Sequence, residues 1–166
     1  MDSGTGKSVK DDAGSAVMSQ AVAACVQLVA GGGIPFVGVV VKDGQQLSGF
    51  TGNRVYETGD PTAHAEIVAM REVIQRYGKE ALKGSELFAT GEPCGMCYQF
   101  ALAHGVKTIY VAVDRYTVAE WGFDYLRSYP AYRIEDDTLA GIVHYMQVEG
   151  ALAPFQEFAC RHDYFK

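Results

Sequence analysis

Three side chains of the kind that bind zinc stand in two short stretches of this 166-residue chain. His64 belongs to D-P-T-A-H-A-E at residues 60–66, and Cys94 and Cys97 belong to G-E-P-C-G-M-C at residues 91–97. A structural zinc usually takes four protein ligands, whereas a catalytic zinc takes three and keeps one position for water. Glu66, two residues after the histidine, can move protons on and off such a water. The pattern therefore predicts a catalytic zinc site.

Each half of this pattern also has a simpler interpretation. H-x-E occurs by chance in many proteins, and a single C-x-x-C can be a redox pair or half of a structural zinc site. A closed structural site would need a further ligand pair at metal-binding spacing. The remaining cysteines and histidines form no pair at such a spacing: Cys25, Cys160, His104, His144 and His162. The catalytic interpretation is therefore favoured, and Cys25 is expected to be a small core residue.

The composition narrows the class of protein. The net charge is −6, from 14 basic and 20 acidic residues, and the basic residues form no cluster. Because proteins that bind a phosphate backbone usually carry a basic patch, a small uncharged substrate is expected instead of nucleic acid. We also expect no apolar segment of the roughly 18–20 residues needed to span a bilayer, no signal peptide and no disulfide framework, which together predict a cytoplasmic protein.

Hydrophobic periodicity predicts one α/β domain over residues 14–166. Residues 1–13 are expected to form a flexible tail, in which G-T-G-K-S at residues 4–8 lacks the earlier glycine and the preceding strand of a phosphate-binding loop. Strands are predicted at residues 36–41, 45–50, 86–90, 108–113 and 142–148, with Asp43-Gly44 as a hairpin turn. Helices are predicted at residues 15–30, 63–77, 93–105, 115–121 and 154–165.

The first candidate ligand lies at the start of one of these helices. Asp60 or Thr62 is expected to cap the helix that begins near Ala63, which places His64 and Glu66 in its first turn. The positive end of the helix dipole favours a carboxylate and a metal-activated hydroxide there.

The two cysteines lie at the start of the next helix. Pro93 opens it, and Cys94 and Cys97, three residues apart, share one face of the first turn. Unpaired N–H groups at a helix start help to keep thiolates ionised, as zinc ligands must be. Both helices follow a strand or a strand-like loop, so the three ligands are expected to meet at strand ends.

Three further features have ordinary interpretations when taken alone. Asn53 could be a turn asparagine, because Asn tolerates left-handed backbone angles. Asp124 could be an acid in a surface turn. The aromatic C-terminal helix is too apolar to stay exposed, so it is expected to pack on the core, cover the site or dock on a second subunit.

The sequence from about Val17 to Tyr164 resembles the cytidine deaminase superfamily and, within it, the bacterial guanine deaminases. The motifs that carry this resemblance are N-x-V at residues 53–55, D-P-T-A-H-A-E at 60–66, E-P-C-x-M-C at 92–97, A-E-x-G-F-D at 119–124 and P-F-Q at 154–156. The first three are shared with tRNA adenosine deaminases, and the last two are typical of guanine deaminases. The resemblance implies a three-layer α-β-α fold with a central five-stranded mixed sheet flanked by helices.

The family pattern implies a role for each matching residue. His64, Cys94 and Cys97 would bind one Zn²⁺ per subunit, and Glu66 would be the catalytic proton shuttle. The substrate would then contact four further positions, which are Asn53 on the base, the backbone N–H near Ala65, Asp124 on a purine, and Tyr164 as the nearest match to the family's C-terminal tyrosine.

The resemblance also implies an assembly. Members of the family form homodimers in which the C-terminal segment, here residues 153–166, is exchanged to lie over the partner's site. The position of the tyrosine departs from the family pattern, because Phe165 and Lys166 follow Tyr164.

Three departures from the family pattern lie beside the expected pocket. Gly95 replaces the proline usual between the cysteines, and Thr90-Gly91 replaces the usual Ser-Cys before Glu92. Residues 98–101, Y-Q-F-A, stand where small residues are common. Ligands and catalytic glutamate are intact, so the chemistry is expected to persist, while the identity of the ring stays open.

The predicted reaction is hydrolytic deamination of a small amino-substituted nitrogen heterocycle, led by guanine to xanthine plus ammonia. Another small ring, such as cytosine, an aminotriazine, a pterin or a nucleoside, is the main alternative. A polynucleotide deaminase acting on a flipped base would need a basic surface and would show steep salt dependence. A non-catalytic zinc-binding module would leave Glu66 without a role.

Overall fold

The computed structural model describes residues 9–162, with side chains from residue 13 onward. Within this range the strands are β1 (Val37–Lys42), β2 (Gln45–Gln46), β3 (Thr51–Gly52), β4 (Glu86–Gly91), β5 (Thr108–Val113) and β6 (Val143–Tyr145). The helices are α1 (Val9–Ala30), α2 (Val55–Thr58), α3 (Ala65–Tyr77), α4 (Gly95–Ala103), α5 (Arg115–Glu120), α6 (Ser128–Ala131), α7 (Asp136–Leu139) and α8 (Ala153–Arg161).

The strands form one mixed sheet in the order β2-β1-β4-β5-β6, with β3 also paired to β1. The first strand runs antiparallel to β2, β3 and β4, whereas β4, β5 and β6 run parallel to one another. The parallel strands are connected through helices, as parallel pairing requires. The predicted mixed sheet flanked by helices is confirmed.

The two faces of the sheet are buried under different helices. On one face, α3 and α4 cover a core that includes Val40, Leu87 and Ile109. On the other face, α1 packs on Val39 and Phe88, and α8 packs beside α1. The alternation along β1, where successive side chains point to opposite faces, supplies both cores from one strand that is apolar up to Val41.

Helix α1 is a core helix whose sequence also meets a membrane criterion. Residues 13–30 have a mean hydropathy of 1.5, so this helix is long and apolar enough to cross a membrane by length and composition. The expectation that no segment would reach that length is therefore wrong. The inward face carries the buried residues Met18, Ala21, Val22, Cys25 and Val29, which confirms Cys25 as a core residue.

Several predicted boundaries differ from those in the structure. Helix α1 begins at Val9 instead of residue 15, so residues 9–13 belong to the helix and not to a tail. Residues 1–8, with G-T-G-K-S, lie outside the described range.

The strand expected at 45–50 is split into β2 and β3, because the register with β1 shifts by two residues between Val41↔Gln46 and Gly38↔Thr51. The extra residues form a bulge that contains Ser48, whose Oγ accepts a hydrogen bond from Val40 N–H.

The helix that carries His64 begins two residues later than expected. Its first residue is Ala65, so His64 is the N-cap residue and lies before the first turn. Neither Asp60 nor Thr62 caps this helix. Instead, Asp60 Oδ1 accepts hydrogen bonds from the backbone N–H and the hydroxyl of Thr62, and Arg71 holds both residues from the body of α3.

The C-terminal strand and helix are shorter than expected. Strand β6 covers residues 143–145 instead of 142–148, and α8 ends at Arg161. Phe155 and Phe158 of α8 are buried against the chain itself. Residues 163–166, with Tyr164, lie outside the described range.

Candidate active site

The three candidate ligands meet where α3 and α4 begin. The sulfur atoms of Cys94 and Cys97 lie 3.7 Å apart, and His64 Nδ1 lies 3.4 Å from the first and 3.5 Å from the second. Like His64, Cys94 is an N-cap residue, and it has no side-chain capping bond. Both helix starts therefore present a ligand and not a capping hydroxyl or carboxylate.

This triangle has the dimensions of a zinc site. In tetrahedral coordination, Zn–S bonds of about 2.3 Å and a Zn–N bond of about 2.1 Å place two sulfurs about 3.8 Å apart and sulfur and nitrogen about 3.6 Å apart. The observed distances agree with these values to within about 0.2 Å. Within residues 13–162, His64, Cys94 and Cys97 form the one group of His, Cys, Asp or Glu side chains close enough to share a metal ion.

A tight contact with β1 holds the start of α3 in place. A Cβ atom at Gly38 would lie 3.1 Å from Glu66 Cα and 3.2 Å from Ala65 O, so glycine is what lets this strand lie against the helix start. Thr51 Oγ1 donates a hydrogen bond to Ala65 O at 2.8 Å. Together these contacts determine where His64 and Glu66 lie.

Glu66 is buried beside the ligands. Its Oε2 lies 3.5 Å from Cys97 Sγ, and the residue lines the cavity described below. Burial, with a smaller effect from the nearby Cys94 thiolate, raises the pKa of Glu66 to about 7. A carboxyl group whose pKa lies near neutrality can both accept and release a proton at neutral pH, which suits general acid–base catalysis.

The two thiols differ in acidity in the metal-free protein. A hydrogen bond from Cys97 outweighs burial and, together with His64, lowers the pKa of Cys94 from 9.0 to about 4. Donating that bond and being buried raises the pKa of Cys97 well above 9.0. The hydrogen bond to Cys94 raises the pKa of His64. One thiolate is therefore already formed before a metal binds.

This difference predicts selective alkylation of the metal-free protein. At pH 6, above the pKa of about 4 for Cys94, its thiolate should react with iodoacetamide through the cavity, whereas Cys97 should stay unmodified. Mass mapping over a pH series measures this, with the exposed Cys160 as an accessible reference thiol. Adding zinc should protect Cys94. Reaction of Cys94 only above about pH 8 would contradict the assignment.

A cavity of about 340 Å³ opens in front of the ligands. Its volume is at the small end of the range of about 300–1,000 Å³ that is typical of small-molecule sites. One side of its wall is aromatic and consists of Phe36, Phe123 and Tyr125. The Phe36 ring makes edge contacts with Phe123 at 5.2 Å and with Phe155, which packs behind the wall, at 5.7 Å between ring centroids. The cavity therefore combines an apolar wall with His64 and Glu66 at one end.

Of the predicted substrate-contacting residues, Asn53, Ala65 and Asp124 line this cavity. Asn53 Oδ1 accepts a hydrogen bond from Val55 N–H at 3.0 Å, so the residue is both a turn asparagine and part of the cavity wall. Asp124 is exposed, and its Oδ1 accepts a hydrogen bond from Leu126 N–H. Both residues thus have the ordinary turn role and also line the cavity, while their contact with a substrate stays a prediction. Tyr164 lies outside the described residues.

Sequence reasoning missed the packing that surrounds the second cysteine turn. A Cβ atom at Gly95 would lie 2.2 Å from Ser128 O, and Gly95 N–H donates a hydrogen bond to Ser128 Oγ at 2.8 Å. Proline at position 95 would clash with Ser128 O and could not donate this hydrogen bond. The glycine at position 95 therefore fits the position of Ser128. Gly91 is similar, because a Cβ atom there would lie 2.7 Å from the Phe36 ring. The signal available in the sequence was the pair of glycines itself.

The chain matches the family described as "Cytidine and deoxycytidylate deaminase zinc-binding region" over residues 12–113. This match contains all three candidate ligands and Glu66. It ends before Asp124 and the aromatic residues of α8.

Two curated relatives carry different activities in their names. The tRNA-specific adenosine deaminase of Aquifex aeolicus is 41% identical over 85 residues, covering 51% of this chain and 56% of that protein. The guanine deaminase of Bacillus subtilis is 38% identical over 101 residues, covering 61% of this chain and 64% of that protein. The chain thus spans less than two thirds of either relative.

A solved structure extends the similarity over most of the chain. The crystal structure of a Bacillus subtilis guanine deaminase superposes with a TM-score of 0.64 and 32% sequence identity, covering 87% of this chain and 91% of that one.

Proposed function

Because the chain belongs to the cytidine and deoxycytidylate deaminase zinc-binding family, we propose that it is a zinc-dependent hydrolase that deaminates a small amino-substituted nitrogen heterocycle. The leading reaction is guanine plus water to xanthine plus ammonia. One observation carries the proposal: a buried carboxyl group, Glu66, lies 3.5 Å from one corner of a zinc-sized His64, Cys94 and Cys97 triangle at the end of a small aromatic cavity.

The metal would be held by His64 Nδ1 and the two cysteine sulfurs. Zn²⁺ bound there would supply a water acidified from a pKa of about 15.7 to about 7, and therefore a nucleophile at neutral pH. Glu66 takes the proton of that water and delivers it to the ring nitrogen beside the amino-bearing carbon. After the water oxygen has bonded to that carbon, Glu66 passes a proton to the amino group, and the carbon–nitrogen bond breaks to release ammonia.

The other cavity residues would orient the ring. Because Asn53 Oδ1 is used by Val55 N–H, the amide NH₂ of Asn53 is left to donate to an acceptor on the base. Asp124 offers a carboxylate that can accept from the neighbouring ring N–H and amino group of guanine, whereas cytosine and adenine do not carry these two donors on neighbouring ring atoms. First-turn N–H groups have no partner within their helix, so Ala65 N–H can steady developing negative charge.

The partner proposed for the site is a small molecule and not a nucleic acid. The small cavity volume and the net charge of −6 support this choice. The competing function is deamination of adenosine in tRNA, which is favoured by the 41% identity to the Aquifex enzyme. A polynucleotide substrate would make activity fall steeply with rising salt, because bound counterions compete for the phosphates.

One screen separates these functions. Zinc-loaded protein should release ammonia from guanine and give xanthine, with much less from guanosine, cytosine, adenine and aminotriazines. A tRNA anticodon stem-loop serves in the same assay, with inosine as the product. Inosine formation would replace the proposal with tRNA deamination. Zinc binding without ammonia release from any substrate would indicate a non-catalytic module.

We also propose a homodimer in which the segment from residue 153 onward is exchanged. An exchange keeps the contacts of the segment but makes them with the partner, so Phe155 would pack on the partner's aromatic wall. Tyr164 would then reach the partner's cavity. Light scattering should give the mass of two chains, and a monomer mass would contradict the assembly.

A further inference from the structure

A second buried carboxylate lies close to the cysteines and has no part in the proton transfers described above. Glu92 follows β4 and stands two residues before Cys94. Its side chain is fully buried and forms an ion pair with Arg115, which is itself only 11% exposed. Burying a charged pair costs desolvation free energy that an apolar pair would not, so its presence calls for a function other than stability alone.

Three elements donate hydrogen bonds to the Glu92 carboxylate. From α5, Arg115 donates its backbone N–H to Oε1 at 2.7 Å and its Nη2 to Oε2 at 3.0 Å. From α4, the Tyr98 hydroxyl donates to Oε2 at 2.6 Å. From β6, the Tyr145 hydroxyl lies 3.0 Å from both oxygens. The carboxylate thus connects the cysteine turn to α4, α5 and β6.

The main chain of the same turn is held by the segment that forms the cavity wall. The Tyr125 hydroxyl donates to Glu92 O, and the Tyr129 hydroxyl donates to Pro93 O at 2.8 Å. The Arg115 guanidinium lies over the Tyr129 ring, 3.5 Å from its centroid. This last contact is a cation–π interaction that links the ion pair to the wall segment.

We infer that Glu92 is a positioning residue for the metal centre and the substrate cavity together. Its carboxylate, held by Arg115, holds the turn that places Cys94 3.4 Å from His64 Nδ1. Through the same turn it locates Tyr125, which lines the cavity. The inference rests on the proposed function, since it concerns the same site. It adds that ligand geometry and ring position depend on one shared network.

The departure at position 98 fits this inference. Where small residues are common in the family, this chain has Tyr98, whose hydroxyl reaches Glu92 from within α4. The helix that carries Cys97 is therefore tied to the residue that precedes Cys94. The positions of both cysteine ligands therefore depend on the same carboxylate, that of Glu92.

The test compares Glu92→Gln with a variant that is destabilised elsewhere. Cobalt(II) replaces zinc in both, because its thiolate charge-transfer and d–d bands report ligand geometry without any substrate. Glu92→Gln keeps the shape but gives the donors Arg115 and Tyr98 an amide in place of a carboxylate. We expect altered cobalt bands, weaker metal retention against a chelator, and a fall in kcat of about 10–100-fold that exceeds any change in KM.

Leu82→Ala is the matched control. Leu82 is buried in the core beyond the C-terminal end of α3, whereas the site is at the N-terminal end of that helix. This variant should lower Tm while leaving the cobalt bands and kcat as in the wild type. If Glu92→Gln does not fold, Tyr145→Phe provides the test, because it removes one donor to Glu92 from a residue that is 55% exposed.

The outcomes separate this inference from the proposed function. The positioning role would be overturned if Glu92→Gln showed unchanged cobalt bands and a kcat within twofold of wild type. The same result in Tyr145→Phe would overturn it if only that variant folds. Either result would leave the deaminase proposal standing. Conversely, altered cobalt bands in a protein that deaminates no substrate would support the positioning role while the proposed function fails.

Discussion

Replacing Glu66 with Gln should abolish ammonia release while the protein still binds zinc. The three ligands are untouched, and Gln matches Glu in shape but cannot shuttle a proton. Removing a general acid–base group lowers turnover by about 10²–10⁴-fold, and here the same group serves several proton transfers. Metal content by atomic absorption and ammonia release from the best substrate of the screen measure the two parts of the prediction.

The variant should also stay folded, for a reason that the structure supplies. Burial disfavours the charged form of Glu66 and raises its pKa to about 7, so a neutral amide avoids a desolvation cost that the carboxylate carries. Glu72→Gln is the matched control, since Glu72 belongs to the same helix and accepts a hydrogen bond from Gly49 N–H. Its turnover should stay within about twofold of wild type. Near-normal turnover in Glu66→Gln would refute the assignment of Glu66.

Replacing Gly95 with proline, the residue usual in the family, should damage this protein. A Cβ atom at this position would lie 2.2 Å from Ser128 O and 2.7 Å from Ser128 C, so the backbone of α6 would have to move. Proline would also remove the N–H that donates to Ser128 Oγ. Overpacking of this kind costs about 1–3 kcal/mol, and a rigid backbone contact belongs at the upper end, so Tm should fall by about 6–12 °C.

Two further variants identify the cause. Ser128→Ala keeps the space but removes the hydroxyl that accepts from Gly95 N–H and donates to Tyr125 O, so a smaller loss of about 1–2 kcal/mol is expected. Gly31→Ala is the control, because a Cβ atom there would meet only ordinary contacts at 3.5 Å or more. Thermal unfolding and zinc retention are the measurements. A Gly95→Pro protein as stable and active as the wild type would show that the contact with Ser128 does not form.

These two glycines also bear on which ring the cavity accepts. Gly91 makes room for Phe36, and Gly95 makes room for the segment that carries Tyr125 and Ser128. The wall of the cavity is therefore built where the chain departs from the family pattern, while the metal ligands stay with that pattern. The candidate ligands and these two glycine contacts therefore involve different residues of the same cysteine turn.

The sequence by itself determined the α/β class, and it predicted His64, Cys94, Cys97 and Glu66, whose side chains the structure brings together. Spacing at a helix start is a local property, so the three-residue separation in C-x-x-C predicts that Cys94 and Cys97 share one face without knowledge of the rest of the fold. Strand β5 was predicted at its observed bounds, because a run of β-branched and aromatic residues forms a regular strand between parallel neighbours. Helix starts were less accurate, since His64 and Cys94 occupy the N-cap positions without a side-chain capping hydrogen bond.

Only the tertiary structure decided how the cavity is built and held. The Gly95–Ser128 contact spans 33 residues and the Tyr145–Glu92 hydrogen bond spans 53. Contacts between residues so far apart in the sequence leave no periodic pattern in one sequence, because they depend on how separate elements pack and not on local conformation. A buried Glu92 and an isolated Gly95 look like ordinary turn residues along the chain. Folding brings α5, α6 and β6 against the cysteine turn and so gives these residues their partners.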